Sequence, residues 1–342
     1  MNSISSTSPV LTVPDNLHAF TPNADRARFL DHRMRQRLAQ SLRYIRSESD
    51  GQLSLESESF GKFLAQLESR TVSPLAFTYY NEAVLAIEED DLDRATRLLR
   101  DMSELPPPAT TLQIQELANP TTDFKAELYV RAIDTDPGMK FQVFPPPPHA
   151  AAACREQINQ ALRLMQEGDP ELAAEIPALL REIILAAGSE DPKAFTFDGG
   201  SSFMLWGAIL INANRRDGEL AMAQMLAHES AHNLLFGFSA NGPLVENTAD
   251  ELYPSPLRAD PRPMDGIYHA TFVTARMYRV MRTLLDSGIL SREQEEKARK
   301  DLAEDARLFQ LGIDTVQKYA RLTEVGEAVI QGATDYMADA SR

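Results

Sequence analysis

The sequence is poor in cysteine and has no long apolar run, and each absence excludes a class of protein. Its 342 residues include a single cysteine, Cys154, so a framework of internal disulfides is excluded. No apolar run approaches the roughly 18 residues that a transmembrane helix needs. The opening residues lack both the basic and the apolar part of a secretory signal. We therefore expect a soluble, cytoplasmic protein that does not enter a membrane.

Positive charge is also scarce. The chain has 34 Lys and Arg residues against 50 Asp and Glu residues, which gives a formal net charge of −16. Nucleic acids and anionic membrane surfaces are bound through clustered positive charge, so neither is an expected partner. The chain is otherwise 43% hydrophobic and 25% charged, an ordinary globular composition that can bury a sizeable core.

Apolar residues recur every three or four positions over much of the first half, which predicts helices with one buried face. The clearest stretch runs from Ala24 to Arg46, and four acidic residues at 88–91 predict the turn of a helical hairpin. Residues 140–144 alternate in polarity and predict a short edge strand. The prolines at 145–148 forbid helix, so we place a domain boundary at residue 148.

Beyond this boundary the pattern predicts two helices, Ala150–Glu167 and Pro170–Ala187, with Gly188 ending the second. A β-hairpin is predicted next, with arms at 195–198 and 202–213 and the pair Gly199-Gly200 as its turn. Its second arm is either an edge strand that can pair with an extended peptide or an internal strand of the sheet.

A strongly apolar helix is predicted from Gly218 to Phe236, with Asp217 as its N-cap and Gly237 as its end. Three further helices are expected from about residue 266 to the end of the sequence. The predicted fold class is mainly α with a small β-sheet (α+β), with the helix from Gly218 packed on the sheet. A flexible arm and a helical region would occupy residues 1–148, and a second domain residues 149–342.

Within the helix from Gly218, residues 228–232 read HESAH and match the pattern HExxH. Residues four apart on a helix share a face, so His228 and His232 can bind one metal ion while Glu229 lies beside it. The alternative is a pair of partly buried histidines that are simply hydrogen-bonded. We expect a metal-binding catalytic site, which makes residues 149–342 the catalytic domain.

A third protein ligand would leave open positions for water or substrate. Leu235 and Phe238 stand where a metzincin requires Gly and His, so that class of protease is excluded. Two candidates for the third ligand remain open, Glu246 and His269.

The segment before His269 combines two arginines with four prolines. Arg258 and Arg262 lie among these prolines, which restrict the backbone, and guanidinium groups bind carboxylates with two parallel hydrogen bonds. A rigid carboxylate-binding loop is one interpretation. The other is two surface arginines paired with Asp260 and Asp265.

The HESAH motif followed by SPLRADPRPMDGIYHATFV closely resembles the family of HExxH-motif peptide-modification proteins, over about residues 201–279. This resemblance implies an iron(II)- and 2-oxoglutarate-dependent dioxygenase that uses O2 to hydroxylate the β-carbon of a side chain in a ribosomally made precursor peptide. It implies that His228, His232 and His269 hold iron and that Arg258 and Arg262 bind 2-oxoglutarate. It also implies a helical N-terminal region available for binding the precursor.

Two other functions stay open. In a zinc metallopeptidase, Glu229 would be the general base that deprotonates the metal-bound water. In a non-catalytic protein that binds the precursor peptide, the histidines would form a structural zinc site.

Within the dioxygenase interpretation, Glu246 replaces His269 as third ligand if the site is of the two-histidine, one-carboxylate type.

Overall fold

Helices make up most of the fold, and a small sheet completes it, which confirms the predicted class. The computed structural model describes residues 13–49, 51–53, 55, 58–133, 142–189, 197–214, 217–255 and 260–340. Over these residues, no helix has the combination of length and hydropathy that a bilayer-spanning segment requires.

The elements follow one another in the order of their numbers within each class. The helices are α1 (Ala24–Glu48), α2 (Glu58–Ser69), α3 (Leu75–Glu88), α4 (Leu92–Ser103), α5 (Phe124–Ile133), α6 (Pro148–Gly168), α7 (Pro170–Leu179), α8 (Gly218–Phe238), α9 (Met264–Asp286), α10 (Arg292–Tyr319) and α11 (Glu324–Ala340). The strands are β1 (Gln113–Glu116), β2 (Val143–Phe144), β3 (Glu182–Gly188), β4 (Gly199–Ser201), β5 (Ala208–Asn212), β6 (Leu252–Tyr253) and β7 (Arg262–Pro263).

The main sheet has the strand order β1-β3-β5-β4, with β2 paired antiparallel to the end of β3. Strand β3 is parallel to β1 and β5, and every residue of β3 and β5 is buried. Because β1 precedes residue 148 and β3 follows it, the sheet draws strands from both sides of the predicted domain boundary. The division into 1–148 and 149–342 stays a prediction.

Several predicted elements are confirmed. Helix α1 covers the predicted stretch, and the acidic residues connect α3 to α4, with Asp91 accepting a hydrogen bond from the Arg94 backbone as the N-cap of α4. Strand β2 lies in the predicted edge segment. Helices α9 to α11 are the three expected at the end of the sequence.

The predicted helix Pro170–Ala187 is wrong in its second half. Helix α7 ends at Leu179, and β3 follows as the central strand of the sheet, so Gly188 ends a strand rather than a helix. A short apolar run that is buried on all sides has the same periodicity in a helix and in a parallel strand. The prediction that the prolines at 145–148 exclude helix is wrong for Pro148. This residue occupies the first turn of α6, where the N–H that proline lacks would have no partner within the helix.

The hairpin exists, but its turn is displaced. Gly199 and Gly200 belong to β4, which pairs antiparallel with β5, and the connection is a 3₁₀ turn at Phe203–Leu205 followed by Gly207 with φ +88°. Residues 195 and 196 of the predicted first arm lie outside the described residues. Strand β5 lies between β3 and β4, so it is an internal strand.

Helix α8 starts at Gly218 as predicted and packs on the sheet through β4. It ends two residues later than predicted, because Gly237 lies inside the helix. A Cβ at Gly237 would lie 2.9 Å from the Trp206 ring and 3.1 Å from Leu30 of α1. This glycine therefore allows close approach of α8 to its neighbours instead of capping the helix.

A buried ion cluster joins three helices. Glu175 of α7 is fully buried and accepts hydrogen bonds from Arg26 of α1 and Arg276 of α9, both of which are about 1% exposed. The Asn23 backbone N–H donates to Glu175 Oε2 at 2.7 Å. Burial alone raises the pKa of Glu175, but the charges of Arg276 and Arg26 outweigh it and hold the pKa below its ordinary value.

We expect Glu175→Gln to lower the free energy of unfolding by about 3–5 kcal/mol, because it leaves two buried guanidinium groups without a counter-charge. Urea denaturation followed by circular dichroism measures this change. Glu171→Gln is the matched control, since Glu171 is 65% exposed and pairs with Arg279 at 3.2 Å; its loss should stay below about 1 kcal/mol. Similar losses in both variants would show that the cluster is not a main source of stability.

A second buried carboxyl group, Asp305, joins α10 to α8. It accepts a hydrogen bond from Gln224 Nε2 at 2.8 Å. Burial raises the pKa of Asp305 to about 7, and the charges of Asp301 and Glu304 also raise it. The hydrogen bond from Gln224 and the charge of Lys297 lower this pKa, but their effect is smaller. An Asp in the unfolded chain titrates near 3.9. Unfolding therefore releases a proton between these pH values, and stability falls as the pH rises through this range.

We expect Asp305→Asn to raise the free energy of unfolding by about 1–3 kcal/mol at pH 8, with the gain disappearing below pH ~4. Chemical denaturation from pH 4 to pH 8 measures it. Asp314→Asn is the control, because Asp314 makes an equivalent hydrogen bond with Gln310 at 2.6 Å on the exposed face of α10. A gain that did not depend on pH would contradict the assignment to Asp305 ionisation.

Candidate metal centre

Three histidines from two packed helices lie together. His228 and His232 are one turn apart on α8, and their Nε2 atoms are 3.2 Å apart. His269 of α9 stacks against His232, with ring centroids 5.4 Å apart and the two Nδ1 atoms 3.2 Å apart. The structure thus brings together the two motif histidines and one of the two candidates for the third ligand.

Burial keeps these imidazoles neutral. Burial lowers the pKa of His228 to about 4, against a smaller raising effect of Asp198. The pKa of His232 is lowered by burial and by its two histidine neighbours, and that of His269 by burial despite the carboxylate of Asp265. Neutral imidazoles have a free nitrogen lone pair, which is the form that binds a metal ion.

Glu229 lies under the edge of the sheet. A Cβ at Gly199 of β4 would lie 2.5 Å from Glu229 Oε1, and the Ser201 hydroxyl donates a hydrogen bond to the carboxyl group. Burial raises the pKa of Glu229 to about 7. Within the described part of the chain, the buried Oε2 atom of Glu229 has no hydrogen-bond partner. This carboxyl group can take up or release a proton near neutral pH.

Two residues that sequence analysis did not identify complete the surroundings. Met277 Sδ of α9 lies 3.1 Å from His228 Nδ1, which leaves Nε2 of that ring for an ion. The Phe236 ring lies 6.3 Å from the His232 ring and 5.4 Å from the His269 ring. Phe236 follows His232 by four residues on one helix face, and this spacing was the available signal. Nothing in the sequence pairs Met277 with His228.

The donor atoms fit a metal ion in part. Two nitrogens bound at 2.0–2.1 Å to one tetrahedral ion are separated by about 3.3 Å, close to the 3.2 Å between the Nε2 atoms of His228 and His232. His269 meets the other nitrogen of His232, so a rotation of one of these two rings is needed to give a third ligand. Accordingly, no group of three or more His, Cys, Asp or Glu side chains is arranged around one point among the described residues.

The other candidate for the third ligand lies elsewhere. Glu246 is exposed, and its backbone pairs with Arg321 at the junction between α10 and α11. In the part of the chain that the structure describes, no hydrogen bond or ion pair joins Glu246 to the histidines. The geometry therefore favours His269.

The two arginines have different outcomes. Arg258 lies outside the described residues. Arg262 lies in β7, directly before α9, and forms an ion pair with Asp260 at 2.8 Å, which is one half of the surface-pair interpretation. The other half, which involves Arg258, stays a prediction; Asp265 itself lies 3.8 Å from His269 Nε2. Arg262 lies two residues before the start of α9. His269 lies five residues after that start, about 8 Å along the helix axis.

Comparison with known proteins adds no assignment. No family model matches this chain, and no curated protein matches it. The candidate site is therefore defined by its geometry and its sequence motif.

Proposed function

We propose that this protein is an iron(II)- and 2-oxoglutarate-dependent dioxygenase that hydroxylates the β-carbon of a side chain in a ribosomally made precursor peptide. The main support is the cluster of three neutral imidazoles from α8 and α9. Arg262 lies in β7, two residues before the start of α9, the helix that bears His269. The resemblance of residues 201–279 to HExxH-motif peptide-modification proteins supports the choice of iron and 2-oxoglutarate.

Each residue has a role that its surroundings favour. His228 and His232 would hold iron through Nε2, with His269 as third ligand after a ring rotation. Iron(II), 2-oxoglutarate and O2 supply the oxidising chemistry when bound. The His228 side chain is 33% exposed and that of His269 is 10% exposed, so a ligand can approach from the side of His228. Glu229 would orient a ligand or hold a proton at its carboxyl group.

Arg262 is the candidate for binding a carboxylate of 2-oxoglutarate. One of its partners, Asp260, is 59% exposed while Arg262 is 22% exposed, and an ion pair that is open to solvent on the carboxylate side is worth about 1 kcal/mol. Exchange of Asp260 for a ligand carboxylate held by two hydrogen bonds is therefore inexpensive. Arg258 is the second candidate implied by the resemblance.

A zinc metallopeptidase is the second candidate function, and one observation favours it. Glu229 has a pKa of about 7 and lies directly beside β4, the strand at the end of the described sheet. A general base works best with a pKa near the operating pH, and a sheet edge can align an extended peptide. In that enzyme Glu229→Gln would abolish peptide cleavage.

The first test is anaerobic addition of iron(II) followed by titration with 2-oxoglutarate. We expect the weak visible charge-transfer band of the iron–ketoacid chelate, and we expect Arg262→Ala to weaken 2-oxoglutarate binding at least about tenfold while iron still binds. Arg282→Ala is the matched control, because Arg282 pairs with Asp286 on the exposed far end of α9. Absence of the band together with zinc-dependent peptide cleavage would replace this proposal by the peptidase.

The third ligand has its own test. We expect His269→Ala to lower iron(II) affinity at least about tenfold, because it removes one of three nitrogen ligands. Competition with a chelating dye measures the affinity, and His32→Ala, a histidine of α1, is the control. Normal iron binding by His269→Ala together with loss of binding by Glu246→Ala would move the third ligand to Glu246.

A further inference from the structure

An apolar groove of about 520 Å³ lies between α1, α3 and the 3₁₀ turn that follows β4. We call it the α1–α3 groove. Met34 and Leu38 of α1 and Phe77 of α3 line its floor, and all three are buried. Tyr44 and Phe203 stand at its margin with 65% and 46% exposure. The volume lies in the range of 300–1,000 Å³ that is usual for ligand sites.

Among the described residues that line this groove, the charged one is a cation, Arg37, although the chain has a formal net charge of −16. Four of the seven arginines of α1 are ion-paired, through Glu175, Asp25, Asp31 and Glu68. Arg37 lines the groove, and among the described residues it donates to the Ala240 carbonyl and Gln40 and to no carboxylate. Arg33, one turn away, has no ion pair within the described part of the chain, and burial and the charge of Arg37 lower its pKa. Two neighbouring cations thus have no carboxylate partner in the region that the structure describes, although the chain has an excess of acids.

Two aromatic ring contacts link the margin of the groove to the candidate metal centre. Phe203, at the margin of the groove, packs edge to face on Phe236, with ring centroids 6.2 Å apart. Phe236 in turn lies 6.3 Å from His232. These two ring-to-ring steps are spanned by about four residues of extended chain.

We propose that the α1–α3 groove binds the substrate peptide through a segment with an acidic residue, placed against Arg37, next to apolar side chains, placed over Met34, Leu38 and Phe77. The residue that is modified would lie about four positions beyond the peptide residue that contacts Phe203. This inference rests on the proposed function in taking the occupant to be the substrate. It reverses the expectation from net charge alone, because an acidic protein would be expected to attract a basic peptide.

The test uses a display library of randomised 12-residue peptides selected against the full-length chain without metal. We expect enriched sequences to contain Asp or Glu beside Leu, Phe or similar residues. Their affinity, measured by fluorescence anisotropy, should fall at least tenfold in Arg37→Glu and in Tyr44→Ala. Arg46→Glu is the matched control, because Arg46 is exposed on the last turn of the same helix and the change in charge is equal. Its affinity should change less than twofold.

Failure to enrich any peptide, enrichment of peptides without acidic residues, or equal binding by Arg37→Glu and the parent chain would overturn the proposal. Arg37 and Tyr44 are exposed, so we expect both variants to fold, and circular dichroism of each variant verifies this. The readout is binding without metal, so it is separate from the iron and 2-oxoglutarate test. Binding at the groove together with absence of the charge-transfer band would retain the peptide site and reject the dioxygenase.

The spacing is tested with the same peptides. A photoreactive benzophenone placed about four residues from the apolar anchor should crosslink to the segment of α8 that contains Phe236. The same group placed on the other side of the anchor should not. Crosslinks to this segment from neither position would show that the groove does not lead to the histidines.

Discussion

The carboxylate of Glu175 is the contact on which the arrangement of the helices depends. It joins the first turn of α1 and the middle of α9 to α7 in the interior, where a lone charge would be strongly unfavourable. The same two arginines donate to backbone carbonyls of the segment before α1, Arg26 to Ala19 and Thr21 and Arg276 to Phe20. Helix α9 also bears His269. The position of the third histidine is thus tied to a charge cluster that the N-terminal helix completes.

The candidate centre combines this rigid support with low polarity. Packing of α8 on α9 shields the imidazoles from much of the water, with His269 10% exposed and His228 33% exposed, and this desolvation keeps them uncharged and ready to bind a cation. The same desolvation retains a proton on Glu229 at neutral pH for part of the molecules. One physical cause therefore accounts for both the donor set and the acid–base group beside it.

The sequence predicted those features that depend on local spacing. The HExxH helix follows from its four-residue separation and the helical period of the apolar residues, and α1 and the acidic hairpin turn are of the same kind. Strand β3 was not predictable, because its apolar run acquires its conformation from pairing with β1 and β5, which are distant in sequence. The Glu175 cluster was hidden for a related reason: charged residues are assigned to the surface unless the partners that compensate them are known. The sequence could single out His269 as a candidate ligand. Only the packing of the helices shows that His269 lies beside His232 and that Glu246 does not.

The close approach at Gly237 gives the protein an optical probe of its own. Trp206 is the single tryptophan; its ring packs at this glycine, and its Nε1 donates to Asp31 at 3.3 Å. Its indole is 2% exposed, and it contacts the same helix that bears His228 and His232, five residues beyond the second of them. The emission of one fluorophore therefore reports on the seating of α8 against α1, so intrinsic fluorescence can follow the environment of the histidine helix without any label.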